Sequence, residues 1–101
     1  MPSTIPSYAE FAARLADARR MVDQLAAKDP DPMIQSIRRQ LAFVDRWTQG
    51  GRRPAQDDLD KLTFGQMASR AVHEVDADLA NELYELSSYL IFWPPTEPVR
   101  V

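Results

Sequence analysis

Carboxylates are the side chains of this sequence whose spacing could support chemistry. Three aspartates fall within residues 57–60, and three more acids alternate through residues 74–78. Paired carboxylates can act as general acid and base or can bind a metal ion. Acids are also favoured at helix N-caps and in first turns, and both groups fall where helices are predicted to begin. Capping therefore accounts for these acids without catalysis.

The groups that would complete an active site are missing from the sequence. His73 is the only histidine, and its neighbour Glu74 cannot share its helix face. There is no cysteine, no HExxH or Glu-x-x-His motif, no glycine-rich phosphate loop and no GxSxG turn. We therefore predict a protein that is not an enzyme and that needs no metal ion or cofactor.

Charge is divided unevenly along the chain. Residues 1–53 carry nine Lys and Arg against six Asp and Glu, whereas residues 54–101 carry three against nine. The two parts hold +3 and −6, which add to the formal net charge of −3. This charge and the scattered arginines predict no nucleic-acid partner. The acidic half is either a docking face for a basic partner or an ordinary solvated helix surface.

Length and composition predict one domain, residues 1–101, in the cytoplasm. The chain has 101 residues, and the proline-containing segments 1–6 and 94–101 are predicted to be irregular. No basic, apolar leader is visible, and no apolar run approaches the about 18 residues that a membrane span needs. The absence of cysteine agrees with a reducing compartment.

Helical periodicity predicts an all-α fold, a compact antiparallel bundle of about four to five helices. Ser7, Asp31, Thr63 and Asp76 are the predicted N-caps, and Gly50–Gly51 is a predicted helix end. The predicted helices cover approximately residues 7–28, 31–49, 54–62, 63–75 and 76–93. Gly65 would permit the close approach of another helix.

The predicted core consists of large apolar residues at three- and four-residue spacing. These residues are Phe11, Leu15, Val22, Ile37, Leu41, Val44, Leu59, Leu62, Val72, Leu79, Leu83 and Leu86. Val75 is expected to continue the buried stripe of the fourth helix, and Leu90 and Trp93 to extend the leucine seam of the last helix. Phe43 and Trp47 lie on the flank of the second helix, where they either pack against a neighbour or form a contact patch for a partner.

The order of several short segments carries a family resemblance. Gln40-Leu-Ala-Phe-Val44 precedes a basic, proline-containing connection, and Leu59-x-x-Leu62-Thr-Phe-Gly65 follows it. An acidic turn over residues 74–78 then leads into Leu79-x-x-x-Leu83. Across residues 33–90 the chain resembles the small helical immunity proteins that protect bacteria against type VI secretion effectors. It is most similar to those that neutralise NAD(P)+ glycohydrolase toxins.

The resemblance implies a protein that binds a cognate effector toxin domain and covers its active site. A toxin that binds a phosphate-bearing nucleotide presents a positive cleft, which carboxylates of the immunity protein could occupy. The candidate contact residues are Asp57, Asp58, Asp60, Glu74, Asp76, Asp78, Glu82 and Glu85. Related toxins could cleave NAD or transfer pyrophosphate to nucleotides. The alternative is a non-enzymatic adaptor that self-associates through its leucine-rich face.

Overall fold

The computed structural model describes residues 4–92, and these residues confirm the predicted all-α fold. A 3-10 turn, Gln49–Gly51, follows the second helix. The helices are α1 (Tyr8–Lys28), α2 (Pro32–Thr48), α3 (Gln56–Asp60), α4 (Phe64–Ala71) and α5 (Ala77–Ile91). Trp93 and the predicted C-terminal tail lie outside the described residues, as do residues 1–3 of the predicted lead-in.

Four of the helices form an antiparallel bundle. α1 packs against α2 and α5, and α4 packs against the same two helices. Contacts of α1 with α2 pair residues from opposite ends, since Arg19 bonds Asp45 whereas Asp23 bonds Arg38. α2 and α5 therefore occupy opposite corners of the bundle. Their outward faces point away from each other, so a partner that docks on one face does not cover the other.

Three of the predicted helix starts are confirmed by their caps. The side chains of Ser7, Asp31 and Asp76 each accept a hydrogen bond from a backbone amide two or three residues later, at 3.3, 2.8 and 3.0 Å. Pro32 follows Asp31 as the first residue of α2, where its missing N–H costs nothing. These starts were predictable because each cap involves only neighbouring residues.

Thr63 is the N-cap residue of α4, as predicted, but the side chain that holds this helix start comes from another helix. The Thr63 hydroxyl does not bond the first turn of its own helix. Instead Gln40 on α2 accepts a hydrogen bond from the Thr63 amide at 2.7 Å and donates to the Thr63 hydroxyl at 3.1 Å. Gln40 also donates to Ser36 at 3.0 Å. One amide side chain thus ties the beginning of α4 to the middle of α2.

Replacing Gln40 by Leu is expected to lower the free energy of unfolding by about 1–3 kcal/mol, because the Thr63 amide loses its acceptor. Gln24→Leu is the matched control, since Gln24 is exposed on α1. It is expected to change stability by less than about 0.5 kcal/mol. Urea denaturation followed by circular dichroism measures both. Equal midpoints for the two variants would show that the Gln40 bonds do not stabilise the fold.

The predicted core is confirmed at ten of its positions and needs correction at the others. Each predicted residue of α1, α2 and α5 is buried, as is Val72. Leu59 and Leu62 are only partly buried against this core. Val75 is 62 % exposed because α4 ends at Ala71 and a turn follows. Phe64, 1 % exposed, is a large core residue that the predicted core lacks.

The leucine seam of α5 faces the interior of its own bundle. Leu79, Leu83, Leu86 and Leu90 are each at most 2 % exposed. The leucine-rich face through which an adaptor would self-associate is therefore already buried in the core of its own chain. Ile5, in the predicted irregular lead-in, is also buried in this core, although it lies outside any helix.

Tyr89 is a buried titratable group of the core. Burial raises the pKa of its phenol, and the nearby Tyr8 raises it further. Folding then favours the neutral phenol, so its contribution is complete below the ordinary value of about 10 and is lost as the pH rises through the higher folded value. We expect urea stability to fall as the pH rises above about 10, and Tyr89→Phe to flatten this dependence. Parallel curves for both proteins would contradict this assignment.

Gly65 allows α4 to approach α5 closely, as predicted. A Cβ atom on Gly65 would lie 3.0 Å from the hydroxyl oxygen of Ser87 and 3.1 Å from its Cβ. The two helices therefore meet with almost no space between them at this level. The approach positions the segment that precedes α4, including α3, beside the C-terminal end of α5.

Candidate binding surface

The candidate carboxylates do not form one continuous face. The α3 aspartates lie beside the C-terminal end of α5, where Leu59, Leu62 and Leu90 line a small shared cavity. Residues 74–78 lie at the other end of the bundle, because they join α4 to the N-terminus of α5. The length of α5 separates the two groups by about 20 Å. A single small cleft on a partner could hold one group or the other.

Three of the candidate acids are occupied in holding the fold together. Glu82 accepts two hydrogen bonds from Arg14, at 2.6 and 2.7 Å, and links α5 to α1. This bonding raises the pKa of Arg14 above its already high ordinary value. Glu85 accepts bonds from the amide and hydroxyl of Thr4, both at 2.7 Å, and Asp76 caps α5.

The α3 helix carries the densest exposed negative charge. Asp57 and Asp60 are exposed, and Asp60 accepts a hydrogen bond from Gln56 at 2.9 Å. Asp58 is partly buried, and its nearest cation is Lys61 at 3.9 Å, a long and weak ion pair. At the other end, Glu74 and Asp78 are also exposed. Of the eight candidates, the α3 aspartates are therefore the most concentrated group that remains available to a partner.

An aromatic pair covers part of the outward face of α2. Phe43 is 45 % exposed, and its ring stacks on Trp47 with centroids 5.6 Å apart. The guanidinium carbon of Arg46 lies 5.8 Å from the centre of the Phe43 ring, within the range of a cation–π contact. Between the two readings of this pair, the exposure of Phe43 favours a contact patch over a role in packing the bundle.

An open cleft of about 390 Å³ extends this aromatic pair towards α3. Its lining includes Arg46, Trp47, Arg52 and Arg53, and Asp58 of α3 closes one side. We call the residues of this surface the aromatic–arginine patch. They are Phe43, Arg46, Trp47, Arg52 and Arg53. The patch and the acidic α3 helix are neighbours, so positive and negative surfaces meet at this end of the bundle.

In the described part of the chain, four arginines outside the patch are held by carboxylates, whereas the patch arginines are not. Arg14, Arg19, Arg20 and Arg38 each form an ion pair with a carboxylate at 3.0 Å or less. Within residues 4–92, no such ion pair involves the patch arginines; Arg53 donates only to the side-chain oxygen of Gln56, at 3.1 Å. This division could not be predicted from the sequence, because ion pairs between helices depend on tertiary packing. Only the unusual density of arginine and aromatic residues over 39–53 could have signalled it.

A second cleft, of about 290 Å³, lies between α4 and α5. It is lined by neutral side chains such as Thr63, Gln66, Tyr84 and Ser87. Over residues 4–92, no cluster of three or more His, Asp or Glu residues has the arrangement needed to bind a metal ion. Within the same range, no helix is long and apolar enough to span a bilayer.

Comparison with known families identifies the family of this chain. A family model described as Tsi6 matches residues 8–92. The chain belongs to the Tsi6 family. Neither a curated protein nor a solved structure matches it. Tsi6 is a type VI secretion immunity family, so the family indicated by the sequence motifs is confirmed.

The Tsi6 match covers the complete bundle. It begins at the first residue of α1 and ends one residue after α5, and thus includes α1, which the sequence motifs over residues 33–90 did not reach. Both α3 and the aromatic–arginine patch fall within it. Membership implies an immunity protein of type VI secretion, whose counterpart is a cognate effector.

Proposed function

We propose that this Tsi6-family protein binds a cognate antibacterial effector toxin in the cytoplasm and blocks its active site. The toxin is an NAD(P)+ glycohydrolase or an enzyme with a similar nucleotide substrate. The observation that carries the proposal is the family match across all the helices of the bundle. The exposed acids of α3 supply a means of inhibition, because a nucleotide-binding cleft must be positive to hold phosphate groups.

In this proposal α3 enters the cleft of the toxin. The helix has only five residues, and it is anchored to the bundle through the partly buried Leu59 and Leu62. Asp57, Asp58 and Asp60 would occupy the region where substrate phosphates bind, so inhibitor and substrate would compete. Their charge would also accelerate the encounter with a positive cleft. Glu74 and Asp78, at the other end of the bundle, would contribute less.

We also propose that the protein inhibits without catalysis. Several of its carboxylates serve in caps and ion pairs, as Asp76 and Glu82 show. A stable scaffold with a complementary surface is sufficient for an inhibitor of this kind. Turnover of the toxin or its substrate by this chain is therefore not expected.

Co-expression tests the proposal. A toxin domain taken from a gene adjacent to the gene of this protein would be produced in a bacterial host with and without the protein, followed by pull-down and measurement of cellular NAD. We expect growth and NAD to be preserved and the two proteins to be recovered as a complex. Rescue of growth with NAD unaffected by the toxin alone would keep the immunity role and exclude the glycohydrolase. Neither rescue nor a complex would contradict the proposal.

A further inference from the structure

We propose that the aromatic–arginine patch is a second anchor for the toxin domain, and that it receives an acidic segment of that domain beside α3. The identity of the partner rests on the proposed function. The surface itself is inferred from the contacts of α2 and of the connection that follows it. The patch is separate from the acidic residues that the sequence indicates as the interface.

The charged side chains that line the cleft indicate an acidic partner. The cleft brings together Arg46, Arg52 and Arg53 but only one carboxylate, Asp58, so its lining has a formal excess of positive charge. Arg20 and Arg38, by contrast, are exposed arginines that pair with Asp17 and Asp23. Guanidinium groups that line a concave surface can bind carboxylates in a bidentate manner. An acidic segment therefore fits this cleft.

The apolar surface beside the cleft consists of aromatic rings. Phe43 and Trp47 stack on each other on the outward side of α2, and Phe43 remains 45 % exposed. Arginine, tryptophan and phenylalanine are enriched in the centres of protein interfaces, where they often carry most of the binding energy. The aromatic pair adjoins the arginine cleft through Trp47, which belongs to both. One partner segment could therefore bury the rings and pair with the guanidinium groups.

The charges around the patch limit which class of partner can bind there. A nucleic-acid backbone passing along the patch would meet the aspartates of α3 at its edge, and the whole chain carries a net charge of −3. A second copy of the chain could offer the exposed aspartates of its own α3, but in the proposed function these aspartates occupy the positive cleft of the toxin. Two copies that each carry a net charge of −3 would also repel each other. A short acidic segment of the toxin domain can pair with the guanidinium groups while the basic cleft of the same domain holds α3.

The juxtaposition of the two surfaces also fixes the orientation of docking. When α3 occupies the positive cleft of the toxin, the patch faces the rim of the toxin's cleft. A partner turned the other way would place its basic cleft on the arginines and its acids on α3. Such like-charge contacts disfavour the wrong orientation and other partners. The inference therefore requires the toxin domain to carry acids close to its basic active site.

Charge reversal at the patch tests the inference. The dissociation constant for the purified toxin domain would be measured by calorimetry at physiological ionic strength. We expect Arg46→Glu with Arg52→Glu to weaken binding by about tenfold or more. The matched control is Lys28→Glu with Arg70→Glu, which makes the same change in net charge at exposed cations outside the patch. The control is expected to change affinity by less than about threefold, since its sites lie away from the interface.

The outcomes separate this inference from the proposed function. Normal binding by the patch variant, with a folded circular dichroism spectrum, would overturn the inference and leave the proposed function intact. Equal weakening by patch variant and control would also overturn it, because only net charge would matter. No complex with the wild-type protein would overturn both. If the reversal variant does not fold, Arg46→Gln with Arg52→Gln replaces it, with about threefold or greater weakening expected.

Two further measurements address the other occupants. Restored binding when acids of the toxin segment are changed to lysine would support a direct charge contact. Salt-sensitive oligomers of the free chain that Arg46→Glu abolishes would assign the patch to a second copy instead. Retention of the free chain on a single-stranded oligonucleotide, lost in the same variant, would assign it to nucleic acid. Either of the last two results would overturn the inference.

Discussion

Replacing Phe11 by Ala is expected to lower the free energy of unfolding by about 3–5 kcal/mol. Phe11 on α1 is fully buried, and its ring stacks on Tyr89 of α5 with centroids 4.6 Å apart. Removing the ring takes apolar surface out of the core and leaves a cavity that the closely packed helices cannot fill. Domains of this size are stable by only about 5–15 kcal/mol, so the variant would lose a large part of its margin.

The sequence offers a matched control for this experiment. Phe43→Ala makes the same chemical change on the outward face of α2, where the ring is 45 % exposed. We expect it to cost less than about 1 kcal/mol, arising from the lost stacking on Trp47. Urea denaturation of the two variants and the wild type gives the comparison. A loss at Phe43 equal to that at Phe11 would contradict the arrangement of the helices described above.

Changing Asp57, Asp58 and Asp60 together to Asn is expected to slow association with the toxin domain by about tenfold or more at low salt. These residues form the concentrated negative charge of α3, and long-range attraction to a positive cleft acts mainly on the association rate. The difference should shrink as salt is added, because the screening length is only about 10 Å at 0.1 M ionic strength. Stopped-flow mixing at several salt concentrations measures this effect.

A second variant controls for the other end of the bundle. Glu74→Gln with Asp78→Asn removes exposed carboxylates that lie about 20 Å away along α5. We expect a smaller effect on the association rate, because these acids would lie outside the cleft. An unchanged rate for the α3 variant at low salt would remove α3 from the interface. A larger effect of Glu74 and Asp78 would place the toxin at the opposite end.

The helices were predictable where the signals are local. The caps at Ser7, Asp31 and Asp76 each depend on residues within one turn, and apolar spacing along a helix identifies its buried face. The start of α4 was predicted at the correct residue, but its hydrogen bonds come from Gln40, 23 residues earlier in the chain, and no local signal predicts them. Val75 was misplaced for a related reason, since the turn after Ala71 interrupts a pattern that looks continuous in the sequence.

The surface was harder to predict because it depends on pairing between helices. The charge imbalance along the chain indicates a group of acids as candidate contacts, but Glu82 is bonded to Arg14 from α1. Similarly, Arg38 is paired, whereas its neighbour Arg39 has no carboxylate partner within residues 4–92. Nothing in the local sequence distinguishes these adjacent arginines. The family could be predicted from the sequence because the resemblance depends on short motifs and not on the arrangement of surface side chains.

The most direct test of the central claim is a titration of purified toxin domain with this protein, measuring the rate of NAD(P)+ hydrolysis. If the protein covers the active site, hydrolysis should fall to zero at a fixed ratio of the two proteins. High substrate concentration should delay inhibition, because substrate and inhibitor compete for the cleft. Full hydrolysis in the presence of a saturated complex would contradict the claim that binding blocks the active site.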